Sequence, residues 1–218
     1  AATFVDQLLS VGTTCAQVFS TVHEHACESL FVAASAKNMC LVAGKVMMDR
    51  NAPVKLLQNA ADCRDDIERL VAKWHGRGRL KYALTPRFAV TSSEEQLSHC
   101  SDLLASHPDL YVQTHISENL QEIDTVRSLF PQQGDYLEVY EQAGLATTRS
   151  TFAHGIHLSE DERKRLFLAG SKIAFCPSSN LFLGSGLLDI ESIPDANFSV
   201  GSDVGGGTGL SMLHTCAE

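Results

Sequence analysis

The chain has 218 residues, 44% of them hydrophobic and 20% charged, which is enough apolar material to bury a core and to read as one globular domain. A formal net charge of −9 argues against a nucleic-acid surface, which needs clustered Lys and Arg to neutralise phosphates, and leaves a small molecule as the expected substrate. No apolar run reaches the roughly 18–20 residues of a membrane span, and no basic segment leads into an apolar one at the start, so neither a membrane nor secretion is indicated.

The seven Cys are odd in number and form no Cys-x-x-Cys pair, so reduced thiols in a cytoplasmic protein are expected. In chain order, short β-rich runs stand at 13–20 (TTCAQVFS), 39–46 (MCLVAGKV), 79–85 (RLKYALT), 110–116 (LYVQTHI), 150–153 (STFA), 172–176 (KIAFC) and 198–202 (FSVGS). Helical periodicity fills the intervals 23–36, 93–105, 123–130, 136–143 and 159–169. "TSSEEQL" and "LSEDE" add Ser or Thr caps with acids in the first turn. Seven strands alternating with helices predict βα units around a parallel sheet. Open sheets and closed (β/α)8 barrels both give this pattern.

The polar residues at the strand ends favour the barrel. Arg87 and Phe88 follow "LTP", His115 and Glu118 follow "YVQT", His154 follows "STFA", Ser178 and Asn180 follow "AFCP", and Asp203 follows "FSVGS". Barrels assemble their sites from several strand C-termini, whereas an open sheet concentrates its site at one switch point. A single strand-end His is more often a hydrogen-bonded loop residue than a ligand. Two His, a Glu and an Asp at four such ends point instead to a divalent metal with imidazole and carboxylate ligands and an acid/base partner.

"THISEN", "FAHGIHLS", "AFCPSSNLFLGSG" and "VGSDVGGG" resemble the metal-site motifs of the amidohydrolase superfamily. "GKVMMDRNAP" and "LTPRFAVTSSEEQL" resemble those of the guanine deaminase family within it. The resemblance implies an incomplete TIM-type (β/α)8 barrel over 1–218, holding the second to eighth strands, with no second domain. It implies His115 and Asp203 as ligands of one zinc ion per site, with Fe2+ as the alternative metal. Glu118 is then the proton shuttle, and His154 bonds the attacking water or the reacting centre. Arg87 and Phe88 receive the purine, the guanidinium on its polar edge and the ring on its face. The implied reaction is hydrolysis of guanine to xanthine and ammonia, and a homodimer is compatible with the family.

The family pattern also has a His-x-His pair at the end of its first strand. His23 and His25 in "VHEHA" have that spacing, but they open what reads as a helix after the second family strand, so a ligand role is not assigned to them. The true pair is expected upstream, because the chain begins at Ala1 without Met and ends inside "GLSMLHTCAE", which reads as a helix starting. A piece of a longer enzyme, inactive alone, is therefore expected.

Other features have plainer readings. "DVGGGTG" lacks the Lys of a phosphate loop, and Cys176-Pro177 reverses the order found in cytidine-type zinc deaminases. Met47 is expected in the core, Trp74 and His75 at a helix end, and Asp49 and Arg50 are left open. The competing functions are another amidohydrolase acting on triazines or nucleosides, and a barrel that has lost its metal.

Overall fold

The computed structural model describes residues 1–194 and 197–218. Two compact units emerge, one formed by 1–87 with 91–113 and the other by 88–90 with 114–218. The first holds α1 (Ala2–Ser10), β1 (Cys15–Phe19), α2 (Glu24–Ala36), β2 (Cys40–Gly44), β3 (Val46–Met47), α3 (Ala60–Trp74), β4 (Leu80–Pro86) and α4 (Glu94–Ser106). The second holds α5 (Leu120–Leu129), α6 (Tyr136–Gln142), β6 (Ser150–His154), α7 (Glu160–Leu168), β7 (Lys172–Phe175), α8 (Pro177–Leu183), β8 (Phe198–Val200) and α9 (Met212–Thr215). Strand β5 (Tyr111–Ile116) contributes residues to both.

Every strand pairing described is parallel. In the first unit β1 lies on β2 (Cys15 opposite Cys40), β2 on β4 (Leu41 opposite Leu80), and β4 on β5 (Ala83 opposite Tyr111). In the second, β6 lies on β7 (Thr151 opposite Lys172) and β7 on β8 (Ile173 opposite Phe198). Parallel strands need long crossovers, and helices supply them. All seven expected strands are present. The second run breaks at Lys45, and its last residue, Val46, joins Met47 in the separate β3 on β4. The break follows Gly44, where an added Cβ would lie 1.8 Å from the Ala83 carbonyl oxygen, so only glycine lets β2 approach β4 this closely.

The helices start where capping chemistry allows. Asn59 accepts from the Asp62 amide at 2.8 Å and Ser93 from the Gln96 amide at 3.1 Å. Reciprocal capping boxes, Asn119 with Glu122 and Ser159 with Glu162, open α5 and α7. The first of these moves the start of α5 three residues ahead of the expected 123, because Asn119 was not recognised as its cap. Helices α1, α3 and α8 were not among the expected intervals.

In the first unit Phe31 of α2 stacks on Trp74 of α3 (5.8 Å between centroids) and on Tyr82 of β4 (6.2 Å). Its burial stabilises the fold by about 1.5–3 kcal/mol. Trp74 and His75 end α3 as expected, with His75 Nδ1 accepting from the Tyr82 amide at 3.0 Å. Met47 is buried, with its sulfur 3.6 Å from Cys100. Asp49 accepts from the Ser93 amide at 2.8 Å and from its hydroxyl, so it holds the cap of α4.

Lys45 is fully buried, with Nζ 3.1 Å from Asp66 Oδ2, 3.2 Å from Cys63 Sγ, and donating to Gln58 Oε1. Removing one partner of a buried pair leaves a charge without compensation. Asp66→Ala is expected to cost about 3–5 kcal/mol in urea unfolding, while Lys45→Met with Asp66→Leu recovers most of that loss. Equal stability of Asp66→Ala and wild type would remove the pair from this role.

Candidate functional site

The second unit collects the polar strand ends. His115, near the end of β5, stacks on His154, the last residue of β6, with centroids 5.3 Å apart and planes at 28°. Phe88 presents its ring edgewise to His115 at 6.4 Å and 62°. Glu118 Oε2 lies 3.7 Å from His154 Nε2, and its Oε1 accepts from the Ser185 hydroxyl at 3.1 Å. His154 is 1% exposed, so its ring is oriented by protein groups rather than by solvent.

Those groups can be named. Asn180 Nδ2, on α8, is 2.9 Å from His154 Nδ1. With the amide donating there, Nδ1 accepts and the ring proton of a neutral imidazole sits on Nε2, facing Glu118. Ser178 and Asn180 were read as following a strand; they fall in α8, whose Pro177 occupies the first turn as helix starts favour. The helix turns Asn180 back under β6. Ser178 instead has its hydroxyl 3.4 Å from Thr215 Oγ1 of α9.

Backbone conformation marks the same residues. Among the described residues, five other than glycine have positive φ, and three of them are Ser117 (48°), His154 (71°) and Asp203 (45°). Each such residue costs on the order of 1–3 kcal/mol and persists only where its surroundings impose it. Around Ser117 and His154 the backbone is held by bonds between the two strand ends, with the Gly155 amide on the Ile116 carbonyl at 2.9 Å and the His157 amide on the Ser117 carbonyl at 3.0 Å.

Asp203 has a similar frame. A Cβ at Gly206 would lie 2.9 Å from Asp203 Oδ2 and 3.1 Å from Ser179 Oγ, so the glycine leaves room for a carboxylate and a hydroxyl to lie side by side. The glycine-rich stretch is therefore a turn in which backbone and side chains approach closely. Burial, and then the charges of Asp203 and Glu118, push the Cys176 thiol up to about 12. Burial and the two carboxylates thus both favour the neutral thiol at Cys176.

Several buried polar atoms here have no protein partner: Ser117 Oγ, Ser179 Oγ and Asn180 Oδ1. Such atoms next to a histidine pair and two carboxylates suit a polar guest. His115 and Asp203 offer imidazole and carboxylate donors of the kind divalent zinc accepts. No group of three His, Cys, Asp or Glu arranged to hold a metal occurs among the described residues. The donor types fit a metal, and their number fits part of its shell.

Of the remaining candidates, Arg87 is exposed and belongs to the first unit, with its amide bonded to the Met47 carbonyl at 3.1 Å. His23 and His25 are exposed and stacked on each other at 5.6 Å at the start of α2. Sequence reasoning missed Ser185 and Tyr140. Tyr140 was visible only as an apolar position of a helix, and nothing in its spacing signalled that its hydroxyl meets Ala89, Thr114 and His115.

The profile of the Amidohydrolase family matches residues 1–217. The chain belongs to the amidohydrolase family. Guanine deaminase of Escherichia coli (strain K12) is 49% identical over 99% of this chain and 49% of its own length. The structure of the E. coli guanine deaminase superposes with a TM-score of 0.96, covering 98% of this chain and 51% of that one. The guanine deaminase of C. acetobutylicum, solved with bound guanine in its active site, is 32% identical at a TM-score of 0.93, over 99% of this chain and 52% of that one. This amidohydrolase chain spans about half the length of the curated relatives it matches. Its fold class is the partial TIM-type barrel expected from the strand ends. No helix among the described residues is long and apolar enough to cross a membrane.

At pH 8 a thiol of pKa about 12 is roughly 0.01% thiolate, and each added pH unit raises that fraction tenfold. Cys176 is therefore expected to stay unmodified by iodoacetamide at pH 8 in the native protein and to react on unfolding, as read by peptide mapping. Rapid native labelling would contradict the buried, carboxylate-flanked placement.

Proposed function

We propose that this chain is part of a zinc-dependent guanine deaminase, a hydrolase that converts guanine and water to xanthine and ammonia. The observation that carries the reading is the gathering of Phe88, His115, Glu118 and His154 within one unit, in a chain 49% identical to a guanine deaminase over 99% of its length. Residues 1–218 are read as one partial barrel domain of a cytoplasmic enzyme, active with its missing ligands in place and compatible with a homodimer.

In this reading His115 and Asp203 hold the zinc ion, with further ligands supplied from outside the chain. Fe2+ is an alternative occupant. When bound, the metal supplies Lewis acidity that lowers the pKa of water from about 15.7 toward 7, so that hydroxide is available at neutral pH. The residues of this chain supply the rest. Phe88 packs on the face of the purine and Arg87 bonds its polar edge. Asp203 accepts the proton of the attacking water.

Glu118 delivers its proton to the ring nitrogen beside C2, which makes that carbon electrophilic; Asp203 returns the water proton to the departing amine, and Glu118 takes up the remaining hydroxyl proton as the new carbonyl forms. Its second oxygen, held by Ser185, fixes the carboxylate, and the His154 Nε2–H, 3.7 Å from Glu118, is free to donate to the oxygen that attacks C2. Asn180 keeps that nitrogen the protonated one. Loss of ammonia then gives xanthine.

The test is turnover by the complete gene product. Guanine is expected to be converted to xanthine, followed by ultraviolet absorbance, without activity on s-triazines; the converse would replace this reading with a triazine-type aminohydrolase. Glu118→Gln is expected to retain zinc in metal analysis and to lose turnover by at least about 100-fold. A near wild-type rate in that variant would remove Glu118 from proton transfer.

A further inference from the structure

The hydroxyl of Tyr140 lies on α6, outside every motif associated with the site, and is fully buried. It accepts from the Ala89 amide at 2.9 Å, donates to the His115 carbonyl at 2.9 Å, and is 3.0 Å from Thr114 Oγ1. A phenol has one proton and two lone pairs. With the proton on His115 and one lone pair taken by Ala89, the Thr114 hydroxyl donates to the other, and the group is saturated.

The three partners belong to two segments far apart in sequence. Ala89 follows Phe88, whose ring meets His115, and Thr114 and His115 form the functional end of β5. We propose that Tyr140 is a positioning residue for substrate binding, whose hydroxyl fixes the Phe88 segment against the ligand-bearing end of β5. The proposal rests on the guanine deaminase reading for the identity of the substrate, and on geometry alone for the brace.

A further observation supports it. One turn earlier, the Tyr136 hydroxyl donates to Glu122 Oε1 at 2.6 Å, while Glu122 Oε2 accepts from the Glu118 amide at 3.0 Å. Helix α6 therefore carries two buried hydroxyls, one on the aromatic segment and one on the loop that bears the shuttle. The stacked rings, 5.7 Å apart, hold them in fixed relation.

Tyr140→Phe keeps the ring, with its 5.5 Å contact to Phe152, and deletes only the hydroxyl. The Ala89 amide, the His115 carbonyl and the Thr114 hydroxyl then lose a partner in a place water does not reach. In the complete enzyme, KM for guanine is expected to rise about tenfold, with kcat within about threefold and zinc content unchanged. A merely structural role would lower the active fraction, hence apparent kcat, and leave KM alone. Tyr82→Phe, which deletes an equally buried hydroxyl in the first unit that meets the Lys45 amide at 3.2 Å, serves as the control and should leave KM within about twofold.

A KM for Tyr140→Phe within twofold of wild type overturns the proposal. If the wild-type enzyme turns over a different aminated heterocycle, the guanine reading falls and the same KM comparison is made with that heterocycle. Hydrogen exchange needs no turnover. The Ala89 amide should exchange at least about tenfold faster in Tyr140→Phe, and an unchanged rate also overturns the proposal.

Discussion

Parallel pairing is the constraint on which the site depends. In a parallel ladder all carboxyl ends fall on the same edge, so whatever follows the last paired residue of each strand emerges on one side. Strands β6, β7 and β8 obey this in the second unit, with β5 beside β6 in the strand order. His115, His154 and Asp203 are consequences of that rule, each standing at or just past a strand end. The helices contribute by returning the chain, and two of them add side chains to the same place: Asn180 from α8 and Tyr140 from α6.

Assembling polar groups this way works against stability at several points. Positive φ at Ser117, His154 and Asp203 stores backbone strain, and Ser117 Oγ, Ser179 Oγ and Asn180 Oδ1 are buried without a protein partner. The same unit offsets this with Phe152, Leu166 and Ile173, all fully buried, and with the capping boxes of α5 and α7. Glu122 belongs to both accounts. It caps α5, holds the amide of Glu118, and is raised in pKa chiefly by its own burial.

The chemistry so arranged is part of a centre. Within the second unit His115 stacks on His154, Glu118 approaches His154 Nε2, and the Asp203 carboxylate lies against Gly206. A catalytic zinc commonly takes three protein ligands. The family model matches residues 1–217, and the chain spans about half the length of the relatives it matches.

The sequence by itself determined the positions of seven strands, their parallel class and the identities of the strand-end residues, because periodicity and composition report directly on which faces are buried. It also identified the family, since the local motifs around His115, Glu118, His154 and Asp203 are contiguous. Helix boundaries governed by reciprocal capping, as at Asn119, were less legible, and the break at Lys45 was not visible at all. Only the tertiary structure decided what Asn180, Ser185 and Tyr140 do. Asn180 and Ser185 meet partners 26 and 67 residues away, and Tyr140 joins Ala89 from 51 residues on. A hydrogen bond across such separations is fixed by how helices and strands pack, and no local pattern of residue types encodes it.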